Sequence, residues 1–207
     1  MIDNLISIKK LLEFPDQDTF YYLQVLQRKK DNPEMSWQSK QVYFKFIKSK
    51  DDLERYADEA REMSNNYNAR TYISLTPRSF EKLSLEVLIE LSKRIKSRDF
   101  SSTYKLFEKL ALKKECIKKS EKLWMIDYDN QEGLFVSDFI KLLASDKYGL
   151  HIKDALPTVN GWHLIIKPFN LKCLGEKLDQ DYNYSLEGYK FGIKFDCNTL
   201  LYYNSKK

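Results

Sequence analysis

An aspartate pair at the end of an apolar run is the feature that most constrains this chain. Residues 123–129 read Leu-Trp-Met-Ile-Asp-Tyr-Asp, so the run ends in Asp127 and Asp129. On a β-strand these carboxylates would point to the same face, with Cα atoms about 7 Å apart. Such a pair repels itself unless a cation lies between the groups or one is protonated, and its oxygens suit Mg²⁺ or Mn²⁺. The alternative is a strand that simply ends in a polar turn.

Composition indicates a folded protein that does not span a membrane. The 207 residues are 43% hydrophobic and 31% charged, and the net charge of +5 is compatible with a polyanionic partner. The apolar runs are far shorter than the roughly 20 residues that span a bilayer, and the N-terminus carries no pattern of a secretion signal. Three widely spaced cysteines form neither a zinc motif nor a disulfide framework, which favours a cytoplasmic location.

Hydrophobic periodicity predicts an α+β fold, in which a mixed or antiparallel sheet is flanked by helices. A division into an N-terminal module (1–100) and a C-terminal module (101–207) is expected, with a single compact domain as the alternative. The predicted strands cover 19–28, 41–47, 70–75, 123–129, 162–166, 189–195 and 199–203. The predicted helices cover about 50–65, 80–96, 101–117 and 134–146, and a capping signal at Ser49 marks the start of the first.

A second candidate segment follows a turn that contains Gly161. Residues 160–166 read Asn-Gly-Trp-His-Leu-Ile-Ile, so His163 opens an apolar strand. On a continuous strand His163 and Lys167 share a face, where imidazole and ammonium could flank one anionic ligand. The alternative is a partly buried histidine bonded to the backbone. A third strand, 189–195, ends at Asp196, which could add a carboxylate or simply close the strand; Asp179 and Asp181 are competing candidates.

In combination these segments resemble the archaeo-eukaryotic primase (primase-polymerase) superfamily. That family has a strand ending in Asp-x-Asp, a small-residue turn into a strand with a histidine, and a strand ending in an acidic residue. The matching positions are Asp127 and Asp129, then Gly161 and His163, then Asp196. The histidine motif departs from the commoner Ser-x-His form at Gly161. The resemblance covers at most 121–197 and implies an RRM-like catalytic half.

The resemblance implies metal-dependent nucleotidyl transfer on a nucleic-acid template in DNA replication. Asp127 and Asp129 would bind Mg²⁺ or Mn²⁺, with Asp196 as a third ligand. His163, beside Lys167, would contact the phosphates of a nucleoside triphosphate substrate. A chain this small would be a minimal, divergent member, such as a virus or mobile element carries.

Basic residues beside aromatic ones could bind single-stranded or primed nucleic acid. Each has the alternative of an ordinary exposed cation. These candidates are Arg28, Lys29, Lys30, Arg70 and Arg78.

Two other functions compete with a primase-like enzyme. One is a non-catalytic protein that binds single-stranded nucleic acid and has a degenerate acidic site. The other is an interaction module of a mobile element with no nucleic-acid role. The sequence has no Walker A loop, no HExxH motif and no defensible Ser-His-Asp arrangement, which disfavours those enzyme classes.

Overall fold

The first of two antiparallel sheets is built mainly from the N-terminal half of the chain. The computed structural model describes residues 1–118, 122–131, 133–174 and 183–204. The strands of this first sheet are ordered β1-β11-β4-β2-β3, and the short β5 pairs with the start of β2. Their bounds are β1 Ile2–Asp3, β2 Thr19–Arg28, β3 Ser39–Ile47, β4 Arg70–Ser74, β5 Arg78–Ser79 and β11 Asn198–Tyr203.

The second sheet comes from the C-terminal half and has the order β7-β8-β6-β10-β9. Its neighbouring strands are antiparallel, and β6 lies at the centre between β8 and β10. The bounds are β6 Trp124–Asp129, β7 Ile152–Pro157, β8 Gly161–Ile166, β9 Asn183–Leu186 and β10 Tyr189–Lys194.

Within the described residues, five α-helices cover the sheets. They are α1 Leu5–Leu11, α2 Lys50–Tyr67, α3 Phe80–Ser97, α4 Leu106–Ala111 and α5 Val136–Ala144. The Ser49 side chain caps α2 by accepting a hydrogen bond from the Asp52 amide, as the capping pattern predicts. No helix among the described residues is long and apolar enough to cross a bilayer.

Three hydrophobic clusters hold these layers together. One is shared by both sheets, since it joins Leu23 and Ile73 of the first sheet to Met125 and Ile165 of the second. A second lies between the other face of the second sheet and α5, and a third between α3, α4 and Phe20. The shared cluster makes the two sheets pack against each other, which brings their polar ends close together.

The predicted α+β class is confirmed, with two antiparallel sheets in place of one. One long predicted helix and several short elements differ from the sequence expectation. The helix expected over 101–117 is two 3₁₀ turns, Thr103–Lys105 and Lys114–Cys116, on either side of the six-residue α4. The sequence also predicts none of the short elements α1, β1, β5, β7 and β9. Because β11 at the chain's end joins the first sheet, the division into 1–100 and 101–207 does not coincide with the two sheets.

Candidate active site between the two sheets

The alternation of β6 directs the aspartate pair toward the first sheet. Ile126 and Tyr128 are fully buried against α5. Met125 lies on the opposite face in the cluster shared by the sheets. Side chains on a strand alternate, so Asp127 and Asp129 project on the same face as Met125. Burial of two apolar residues against a helix therefore fixes the direction of both carboxylates.

His163 lies beside Asp127 on the neighbouring strand. The two residues are directly opposite in the β6–β8 pairing, and Nε2 of His163 is 3.4 Å from Oδ1 of Asp127. Leu164 and Ile166 of β8 pack toward α5, so His163 takes the face of the aspartates. The other ring nitrogen, Nδ1, is 2.9 Å from Oγ1 of Thr199 on β11 of the first sheet.

Gly161 allows the turn before His163 to press against the backbone of β6. A Cβ atom at residue 161 would lie 2.0 Å from the Tyr128 carbonyl oxygen and 2.7 Å from the Asp129 Cα. The Thr158 hydroxyl accepts a hydrogen bond from the Gly161 amide at 3.1 Å, and the Asn130 amide donates to the Asn160 carbonyl at 2.8 Å. These contacts hold the β7–β8 turn beside Asp129.

Lys194 of β10 forms an ion pair with Asp127. Its Nζ contacts Oδ2 of Asp127, while His163 is on the Oδ1 side of the same carboxylate. Burial raises the pKa of the Asp127 carboxyl, but hydrogen bonds from His163 and Lys194 lower it by more, so it lies well below its ordinary value. Asp127 is therefore an anion at neutral pH, and a protein ammonium already contacts it.

The facing wall comes from the first sheet and carries cations. Arg28 ends β2 and donates a hydrogen bond from Nη1 to the Tyr72 hydroxyl at 3.0 Å. The turn after it is ordered by Asn32, which is 6% exposed and donates to the Arg28 carbonyl at 3.1 Å. This turn places Lys30 at the cavity. Arg70 begins β4 and donates two hydrogen bonds to Asp31, at 2.7 and 2.5 Å.

These groups line a single cavity of about 230 Å³ between the two sheets. Its charged lining consists of four cations and two carboxylates: Arg28, Lys30, Arg70, Lys194, Asp127 and Asp129. Asp31 offsets the charge of Arg70, yet cations still outnumber carboxylates by one. The lining of the cavity therefore carries a small excess of positive charge.

Comparison with known protein families, curated proteins and solved structures finds no match for this chain. The chemistry of the site therefore rests on its own geometry.

The structure brings together Asp127, Asp129 and His163, and it adds Arg28, Lys30 and Arg70 from the predicted nucleic-acid contacts. Four other candidates are not among the described residues that line the cavity, namely Lys29, Arg78, Lys167 and Asp196. Lys29 is exposed, and Lys167 follows the far end of β8, with its amide bonded to the His151 carbonyl. Asp179 and Asp181 lie outside the described residues.

Asp196 and Arg78 bind each other. Nη2 of Arg78 donates to both carboxylate oxygens of Asp196, at 3.1 and 2.9 Å. The Arg78 side chain is completely buried, where its Nη1 donates to the Lys113 carbonyl and its guanidinium lies 5.1 Å from the Tyr22 ring centre. The structure thus gives the expected third metal ligand and the expected surface cation a shared structural role.

The acidic residues present suit a metal ion that arrives with a ligand. Among the described residues, no group of three or more His, Cys, Asp and Glu side chains is arranged to hold a metal. Asp127 and Asp129 nevertheless offer two carboxylates, and Mg²⁺ is commonly held by one or two carboxylates together with phosphate oxygens. The pair fits such a shared site, provided that Lys194 leaves Asp127.

Sequence reasoning missed two residues of the site, Lys194 and Thr199. Alternation along β10 puts Lys194 on the face of Gly192, and Gly192 pairs with Asp127. That signal becomes readable only when β10 is known to be next to β6. Thr199 reaches His163 from the other sheet, and no local pattern indicates such a contact.

Proposed function

We propose that the cavity between the sheets binds the phosphates of a nucleoside triphosphate and performs nucleotidyl transfer on a nucleic-acid template, in the manner of a primase-polymerase. One observation carries the proposal: Asp127, Asp129 and His163 line one cavity whose opposite wall carries Arg28, Lys30 and Arg70. Carboxylates on one side and phosphate-binding cations on the other are the groups that phosphoryl transfer requires.

The second sheet supports the proposed relation to the RRM-like catalytic half of the primase superfamily. The Asp-x-Asp strand β6 is central, and the histidine strand β8 is directly beside it. The strand β10, where a third carboxylate is expected, borders β6 on its other side. It turns Lys194 toward Asp127 and ends before Asp196, which is the departure from the family pattern.

Each side chain has a definite task in this proposal. Arg28 and Lys30 neutralise phosphate charge from the first sheet, and the Nε2–H group of His163 donates to a phosphate oxygen. Asp127 and Asp129 would hold Mg²⁺ or Mn²⁺ together with the triphosphate. When bound, the metal neutralises the charge that develops on the phosphate oxygens.

Replacing both aspartates by asparagine should strongly reduce template-dependent nucleotide incorporation. The variant Asp127→Asn with Asp129→Asn keeps the shape of both side chains but removes their charge. We expect incorporation with Mn²⁺ or Mg²⁺ to fall by roughly 100-fold, which is the rate equivalent of about 2.7 kcal/mol. The measurement is primer extension and unprimed synthesis on a single-stranded template.

A matched control replaces two exposed aspartates far from the cavity, Asp58→Asn with Asp138→Asn, whose side chains are 81% and 54% exposed. This control should retain full incorporation. Equal activity in the wild type and in the Asp127, Asp129 variant would refute the catalytic role of the pair.

A second candidate function is binding of single-stranded nucleic acid without catalysis, and the ion pair between Lys194 and Asp127 favours it. A lysine ammonium takes one side of the carboxylate that a metal would need. In that case the phosphates of the strand would bind the same cations, and the acidic pair would only shape the cavity. If Mn²⁺ at millimolar concentration binds to the wild type together with a triphosphate, the enzyme is favoured. If it does not bind, the second candidate is favoured.

Removing two cations of the first sheet should weaken binding of a single strand in a salt-dependent way. For Arg28→Gln with Lys30→Gln we expect weaker affinity for an oligonucleotide. We also expect the plot of log K against log salt concentration to have a slope that is shallower by about 1.4, at roughly 0.7 per phosphate contact. Fluorescence anisotropy from 50 to 300 mM salt measures both quantities. Lys141→Gln with Lys147→Gln, which changes two exposed lysines near α5, is the control, and an equal loss there would show that only net charge matters.

A further inference from the structure

Thr199 connects the histidine of the candidate site to the other sheet. It is fully buried on β11, and its Oγ1 lies 2.9 Å from Nδ1 of His163, which is itself 8% exposed. Its neighbour on the paired strand is Ile73, in the cluster shared by both sheets. The contact is therefore a buried polar bond that joins the first sheet to the second beside the cavity.

We propose that Thr199 is a positioning residue that fixes the orientation of the His163 ring, so that the Nε2–H group of the tautomer that Asp127 selects is directed at Asp127 and the cavity. A carboxylate only accepts hydrogen bonds, so the ring nitrogen next to Oδ1 of Asp127 must carry the proton. In the neutral ring Nδ1 is then an acceptor, and the Thr199 hydroxyl is the donor that satisfies it. Since both groups are buried, an unmade bond here would be costly, which holds the ring in this orientation.

This tautomer decides what His163 can do for a ligand, and that functional consequence rests on the proposed function. With the proton on Nε2, the ring offers a donor to a phosphate oxygen beside Asp127. With the proton on Nδ1, Nε2 would turn a lone pair toward a carboxylate and a phosphate, which repels both. Thr199 thus acts on the ligand only through His163.

Nitrogen-15 NMR of the two imidazoles tests the proposal directly. The chain contains only His151 and His163, and the exposed His151 serves as an internal control. At pH 8.5 we expect the wild type to show the Nε2–H pattern for His163 and an average of both tautomers for His151. In Thr199→Val we expect the Nε2–H pattern to remain, because Asp127 selects it, but the Nδ1 signal should shift when that nitrogen loses its hydrogen bond; Thr199→Ser should keep the wild-type Nδ1 signal.

Binding of inorganic triphosphate in the presence of Mg²⁺ supplies the second readout. We expect about 10-fold weaker binding in Thr199→Val and near wild-type binding in Thr199→Ser, because only the hydroxyl matters. The proposal is overturned if wild-type His163 shows the Nδ1–H pattern, a result that needs no variant to fold. It is also overturned if the Nδ1 signal of His163 is the same in Thr199→Val as in the wild type. A wild type that binds no triphosphate would refute the proposed function, while the Nδ1 signal would still decide the role of Thr199.

Discussion

Replacing Asp196 by alanine should lower the free energy of unfolding by about 3–5 kcal/mol. The substitution leaves the completely buried guanidinium of Arg78 without its carboxylate partner, and an uncompensated buried charge costs this much. The Nε atom of Arg78 already lacks a hydrogen-bond partner, so little is available to compensate the loss. Urea unfolding monitored by circular dichroism measures the change: the midpoint concentration of urea should fall, while the dependence of the unfolding free energy on urea should keep its slope.

Two comparisons make this result specific. Asp138→Ala removes an exposed ion pair with Lys141 and should cost less than about 1 kcal/mol. The double variant Arg78→Met with Asp196→Ala removes both charges and should recover much of the loss, since an apolar pair can replace a buried ion pair. A loss below about 1 kcal/mol in Asp196→Ala would show that water reaches the guanidinium and that Asp196 is free for another role.

Replacing Gly161 by alanine should cost about 3 kcal/mol and displace the acidic pair. The added Cβ would meet three backbone atoms of the segment 128–130 at 2.0, 2.7 and 2.9 Å. Backbone atoms in the centre of a sheet cannot move aside as a flexible side chain can, so β8 must separate from β6 at Asp129. Thermal and urea unfolding measure the loss, and triphosphate binding reports the displaced site.

Gly149→Ala is the matched control for this effect. Gly149 has a φ of 60°, and a Cβ there would have nothing within 4 Å, so its substitution costs only backbone strain of about 1 kcal/mol. If Gly161→Ala is no more destabilising than Gly149→Ala, the close approach of the two strands at Asp129 is not a structural requirement.

Much of the fold could be predicted because long periodic segments carry their own signal. The strand Thr19–Arg28 and the helix Phe80–Ser97 were predicted almost to the residue. The helix Leu5–Leu11 was not, because seven residues are too few for a helical period to stand out. The strand Ile152–Pro157 contains Lys153, Asp154 and Pro157, which are unfavourable in a central strand. They are tolerated here because this strand lies at the edge of the sheet.

The sequence predicts those parts of the candidate site whose side chains lie on one strand or on two adjacent strands. The shared face of Asp127 and Asp129 follows from alternation, and so does the position of His163 in its own strand. Asp196 shows the limit of this reasoning: the chain direction changes between β10 and β11, and the carboxylate pairs with Arg78, 118 residues away. Alternation predicts the face of a residue only while the strand continues.

By itself the sequence determined the α+β class, the shared face of the aspartate pair and the polar turn that precedes His163. These features depend on local periodicity and on short-range sterics, which a single segment contains. Only the tertiary structure decided that β11 returns to the first sheet, that Thr199 bonds to His163 and that Lys194 contacts Asp127. The order of strands in a sheet and the packing of one sheet on another depend on burial summed over the whole chain, so no local pattern specifies them.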